Sequence, residues 1–249
     1  MTFLSGPLPR IIAHRGLALE APENTLLAFL RALSAGATHL ETDVHASADG
    51  VAVISHDPDL SRLVGRDVRI DQLTMPELRR IDLGHGQTFC SLGEALEAFP
   101  EARFNIDIKD ARSAAPAAAA ILTARATDRV LVTSFDEKRR RAAADALPGV
   151  ASSASATRVL PAILGAKLGL PGIVRRSVDG VVALQIPERQ GPLRLVTRRT
   201  VRALHAAGVE VHVWTVNDPL TMARLLDLGV DGLVTDRCDI LKSLVGSRI

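Results

Sequence analysis

Residues able to handle protons and ions recur in this chain directly after short apolar runs. His14-Arg15-Gly16 closes Arg10–His14, Glu41 and Asp43 fall in Leu40–Val44, and His56-Asp57 follows Val51–Ser55. Asp107 and Lys109 close Phe104–Ile108, while Trp214 and Asn217 close Val209–Val216. Glu41 and Asp43 are two apart, and the period of a strand puts both side chains on one face. Two carboxylates on one buried face need a counter-charge, because an isolated buried ion is costly. A divalent cation would supply it, with Asp107 as a third oxygen donor, and all-oxygen ligation fits Mg2+ or Ca2+ rather than zinc. The competing reading is a structural ion network in which Lys109, on the face of Asp107, pairs with the acids.

A lone histidine at a strand end is more often structural than catalytic. Two of them, His14 and His56, beside a carboxylate cluster suit proton donation and acceptance within one turnover. Arg15 offers a planar fork for two phosphate oxygens, and Gly16 allows close backbone approach to a ligand or simply a tight turn. His45 shares the face of Glu41 and Asp43. His39, His85 and His205 read as surface or helix-end residues, His212 as a packed strand residue, and Lys138 to Arg141 as a solvated helix face.

Nine β-rich runs must hold these groups: the five above with Val130–Thr133, a weak Val150–Ser153, Gly180–Ile186 and Gly232–Thr235. Most are solid Val, Ile and Leu, as expected of strands covered on both faces. Helical patterns alternate with them at Asn24–Ala35, Leu92–Ala98, Ser113–Arg125, Glu137–Ala146, Arg158–Leu168, Thr197–Ala207, Pro219–Leu228 and Asp239–Val245. Gly36, Gly208 and Gly229 stand where glycines that end helices belong. Pro58–Gly86 is polar and loop-like and reads as a small insertion after the second or third strand. About eight strand–helix units in 249 residues predict a (β/α)8 TIM barrel spanning residues 1–249 as a single domain. An open, Rossmann-type sheet is the alternative, but no Gly-x-Gly-x-x-Gly or Gly-Lys-Ser/Thr turn follows any strand.

Composition narrows the classes. Thirty basic against twenty-eight acidic residues leave +2, and aromatics make up only 3%, so neither a global field nor stacking platforms point to nucleic acid. No apolar run reaches membrane-spanning length, and Met1 to Pro9 lack a leader pattern. Cys90 and Cys238 fit neither a disulfide framework nor a metal motif. The expectation is a cytoplasmic protein without a membrane anchor, and the sequence is silent on oligomeric state.

Taken together and in order, the motifs His14-Arg15-Gly16, Ala21-Pro22-Glu23-Asn24-Thr25, Leu40-Glu41-Thr42-Asp43-Val44, Ser55-His56-Asp57, Asn105-Ile106-Asp107-Ile108-Lys109, Ser134-Phe135-Asp136 and Trp214-Thr215-Val216-Asn217 resemble the glycerophosphodiester phosphodiesterase family. Asp49-Gly50 and Gly229-Val230-Asp231-Gly232 belong to the same set, which runs from residue 10 to about residue 241. The resemblance implies a (β/α)8 barrel and metal-dependent hydrolysis of glycerophosphodiesters to glycerol 3-phosphate and an alcohol. It also implies His14 and His56 as the acid/base pair, Arg15 and Lys109 on the phosphate, Glu41, Asp43 and Asp107 on the metal, and Trp214 walling the pocket.

Two positions depart from the family pattern. Its third acid is usually glutamate, whereas Asp107 is one methylene shorter, so it would reach a cation through water or by an inward shift of its strand. The insertion also lacks the usual aromatic cluster after Asp82-Leu83-Gly84. The alternatives are a lysophospholipase D-like enzyme acting on lipid, and a non-catalytic barrel that binds phosphorylated ligands.

Overall fold

The computed structural model describes residues 2–247. Its frame is eight parallel strands: β1 (Arg10–Ala13), β2 (His39–Ala46), β3 (Arg103–Ile108), β4 (Val130–Thr133), β5 (Ala151–Ser152), β6 (Ala183–Pro187), β7 (Glu210–Trp214) and β8 (Gly232–Thr235). Neighbours in sequence are neighbours in the sheet, and β8 returns to β1 with Arg10 opposite Gly232. Between β5 and β6 the ring closes through a single parallel bridge, Ser153 to Ala183. The (β/α)8 barrel expected from the alternation is therefore the fold. Strands such as β4, Val-Leu-Val-Thr, need apolar cover on both sides, and helices provide it outside.

Those helices are α1 (Leu26–Ser34), α2 (Leu92–Ala98), α3 (Ala114–Thr123), α4 (Glu137–Asp145), α5 (Ala156–Leu168), α6 (Pro171–Val178), α7 (Arg198–His205), α8 (Pro219–Asp227) and α9 (Cys238–Gly246). Side-chain caps set several starts: Thr25 Oγ1 accepts from Ala28 N at 3.2 Å, and Asp218 Oδ2 from Thr221 N at 2.8 Å. Gly36, Gly208 and Gly229 follow their helices with positive φ, as their positions predicted.

Four local expectations change. The run at Val51–Ser55 is a strand (Ala52–Ile54), but it lies antiparallel on β2 and is not a barrel stave. The insertion is not bare loop: it folds two hairpins, Asp59–Leu60 with Arg66–Arg69 and Asp82–Gly84 with Gln87–Thr88, over a small core of Leu60, Ile70, Met75 and Leu78. Helix α6 went unpredicted because Gly169, Pro171 and Gly172 punctuate its start. His39 and Arg140 are buried, not solvated. His39 packs edge-on against Phe3 at the N-terminal ends of the strands, while Arg140 pairs with Glu137 at 2.8 Å and donates to Ser152 Oγ.

Candidate active site

At the C-terminal ends of the strands lies a cavity of about 230 Å3. His14, Arg15, Glu41, Asp43, His56, Asp107, Lys109 and Trp214, the eight site residues expected from sequence, all line it. Chain geometry explains how. His14 and Arg15 follow β1, Glu41 and Asp43 point inward from β2, and Asp107 stands beside Asp43 in the unbroken β2–β3 register. Trp214 ends β7, and the antiparallel strand delivers His56 two residues past its own end.

The turn after β1 is tight. Arg15 adopts φ +56°, in the left-handed region, and this turns its N–H onto Glu41 Oε2 at 3.0 Å. Gly16 follows at φ +83°, where a Cβ would fall 2.7 Å from the backbone of Ala28, so only glycine fits. Asn24 holds the neighbouring acid: its Nδ2 donates to Asp43 Oδ2 at 3.1 Å while its Oδ1 accepts from Thr42 Oγ1 at 2.8 Å.

Each histidine is fixed through one ring nitrogen. His14 Nδ1 lies 2.7 Å from Asp236 Oδ1, and His56 Nδ1 lies 2.7 Å from Asp57 Oδ1. A ring donating from Nδ1 keeps Nε2 as its working nitrogen. The two carboxylates are themselves held, Asp236 by Asn217 Nδ2 at 2.6 Å and Asp57 by Arg62 Nε at 2.5 Å. Burial lowers the His14 pKa, but the Asp236 hydrogen bond and the Glu41 charge outweigh it and leave the pKa raised.

Three carboxylates crowd the floor. Burial, then the Asp43 charge, push Glu41 up to about 8, and burial likewise raises Asp107. Lys109 Nζ bridges Asp43 Oδ1 at 2.8 Å and Asp107 Oδ2 at 2.7 Å, the ion pairing held open as the competing reading. Among the described residues no three acid, histidine or cysteine side chains close around a common ion position. Yet Asp107 Oδ1, Arg15 Nε and Asn105 Oδ1 are buried with no hydrogen-bond partner. Arg15 Nε does lie 3.5 Å from Asp43 Oδ2 as an ion pair, and buried polar atoms left without hydrogen bonds in one acid-rich cavity fit a site that takes an oxyanion and a cation together.

Sequence reasoning missed several contributors. Asp236 pairs with a residue 222 positions away, and only its place just past Thr235, at a strand end, could have flagged it. Asn105 and Gln185 also line the cavity, joined by a 3.4 Å contact, and their signal is the inward alternation of β3 and β6. His45 shares the face of Glu41 and Asp43 but turns to Asp110 and the His56 carbonyl, and lines a separate cavity.

Two basic side chains, two imidazoles and a carboxylate floor thus share one cavity on a parallel barrel, and the class of protein this matches is a barrel phosphodiesterase. The glycerophosphoryl diester phosphodiesterase family model matches residues 14–240, and the chain belongs to that family. Members of the family generally depend on a divalent cation. The chain is 41% identical over 239 residues to the "Probable glycerophosphodiester phosphodiesterase 2" of Mycobacterium tuberculosis, covering 95% of this chain and 90% of the relative. It is 28% identical to a lysophospholipase D of Mus musculus, over 96% of this chain and 87% of that one. An Oleispira antarctica phosphodiesterase solved with the product sn-glycerol-3-phosphate superposes with a TM-score of 0.80 at 26% identity, covering 96% and 97% of the two chains.

Proposed function

We propose that this enzyme hydrolyses glycerophosphodiesters to glycerol 3-phosphate and an alcohol, using His14 and His56 as the acid/base pair. The observation that carries the reading is the convergence of both imidazoles, each backed by a carboxylate, on one cavity with Arg15, Lys109 and three acids. One imidazole takes the proton of the attacking oxygen on Nε2, the phosphorus–oxygen bond to the alcohol breaks, and the other imidazole protonates the departing alkoxide. His14, with its raised pKa, suits the donor's part. The attacking oxygen is water's or a neighbouring glycerol hydroxyl's, and the latter route gives a cyclic phosphate that water then opens.

Arg15 Nε and the Lys109 ammonium neutralise phosphate charge. A divalent cation, Mg2+ or Ca2+, held by Glu41, Asp43 and Asp107 would stabilise the charge building on the phosphate oxygens. The regular register at Asp107 favours contact through water over an inward strand shift. Trp214 and Phe135, ring centroids 5.8 Å apart, form an apolar wall for the glycerol or alcohol group. That wall is the feature favouring lysophospholipids as further substrates. Residues 1–249 act as one catalytic domain in this reading, and two unpaired, buried cysteines support a reducing, cytoplasmic setting.

The test is a panel of glycerophosphodiesters and lysophosphatidylcholine, with and without EDTA, scored by glycerol 3-phosphate and free-alcohol release. Release of glycerol 3-phosphate that EDTA abolishes is the expected result; no turnover of any glycerophosphodiester with added Mg2+ or Ca2+ overturns the reading.

A further inference from the structure

Eleven large hydrophobic side chains are exposed among the described residues, and five of them, Leu160, Leu164, Leu168, Leu170 and Ile173, fall within residues 160–173. The first three recur every fourth residue of α5, which aligns them along one helix face, and Leu168 is 68% exposed. Ile173 of α6 packs against Gly165 of α5, so the stripe continues onto the next helix. Singly exposed leucines need no explanation, but a contiguous set on adjoining helices does.

The charges around it are mostly basic, with Glu137 3.9 Å from Arg158 and Asp179 at the end of α6 as exceptions. Residues 153–178 contain Arg158, Lys167, Arg175 and Arg176 and no acid; residues 189–209 contain five arginines and no acid. This is a local excess in a chain whose total is only +2. Lys167 lies on the leucine face of α5, and Arg199 of α7 reaches the end of that helix, donating to the Ala166 carbonyl at 3.2 Å. No helix among the described residues is long and apolar enough to cross a membrane.

We infer that the α5–α6 face docks on the surface of an anionic lipid bilayer, with the leucines entering the acyl boundary and the surrounding cations at the headgroups. Leucines set among lysine and arginine are the makeup of an interfacial helix. A second copy fits worse, because a two-fold contact through this face would set its arginines against their own symmetry mates. An acidic protein partner would meet the charge but calls for a groove or aromatic anchors, and the exposed apolar residues here are aliphatic.

Sedimentation with phosphatidylcholine vesicles, with or without an equal part of phosphatidylglycerol, tests this. Expected is binding to the anionic vesicles only, weakened as salt rises from about 0.05 to about 0.5 M. The double variant L164D/L168D should lower the bound fraction by about tenfold or more while turnover of soluble glycerophosphocholine is unchanged, and R175E/R176E should act in the same direction. No anionic-vesicle binding, or equal binding by parent and variants, overturns the proposal. So does a dimer lost in L164D/L168D, or capture of a soluble acidic protein, when vesicle binding is absent.

Discussion

Replacing His39 with Gln should change how stability depends on pH. His39 is completely buried: its Nε2 lies 2.8 Å from the Phe3 carbonyl, its Nδ1 lies 2.8 Å from Thr38 Oγ1, and its ring packs edge-on against Phe3. Burial pushes its pKa down from 6.5 to about 3. Between those values the unfolded chain holds a proton that the folded chain refuses, so stability is full above pH 6.5 and is lost as pH falls. One proton corresponds to about 1.4 kcal/mol per pH unit, and a drop from pH 7 to pH 5 should therefore cost the parent about 2 kcal/mol through this residue alone. Glutamine does not titrate. His39→Gln should lose about 1–3 kcal/mol at pH 7 from poorer packing on Phe3, yet should lack the 2 kcal/mol acid loss. The raised His14 pKa contributes with the opposite sign, but it is common to both proteins and cancels in the difference. Carboxylates held low, such as Glu210 at about 2, titrate below the window. Urea unfolding of parent and variant at pH 5 and pH 7 measures the difference, and pH dependences that agree within about 0.5 kcal/mol would refute the reasoning.

His14→Ala and His56→Ala should each lower kcat by about 10²–10⁴-fold with the thermal midpoint little changed, and near-parental turnover by either would make that histidine structural. Asp236→Asn removes the partner 2.7 Å from His14 Nδ1, so the His14 pKa should fall; if His14 donates, the alkaline limb of the kcat profile moves to lower pH, whereas a fixed limb would show that another group donates. Arg15→Lys keeps the charge but loses the fork, and should raise KM and lower kcat; unchanged constants would place Arg15 off the phosphate. Calorimetric metal titration should show weaker binding in Asp107→Asn and tighter binding in Asp107→Glu, the longer side chain reaching the ion without water; parental affinity in the Asn variant would take Asp107 out of the metal site.

Period and punctuation carried the barrel, since apolar runs, glycines after helices and polar residues at strand ends are local features that a sequence displays directly. The same logic located eight of the cavity-lining residues, because inward alternation and the place just past a strand are one-dimensional properties. Signals written in pairings were invisible. The run Ala52–Ile54 has the composition of a stave, and only its hydrogen bonds to β2, with Val44 opposite Ile54, reveal it as antiparallel. His39 resembled a surface residue because nothing nearby in sequence announces that Phe3 and its carbonyl will cover it. Asp57 and Asp236 make the same contact to a histidine, yet one is adjacent to its partner and the other is 222 residues away. The first stands inside a motif, whereas the second is marked only by its place just past a strand, with nothing in the sequence to tie it to His14. Chemistry assembled across the top of a barrel is therefore legible residue by residue, whereas the contacts that orient each group form only when the ring closes.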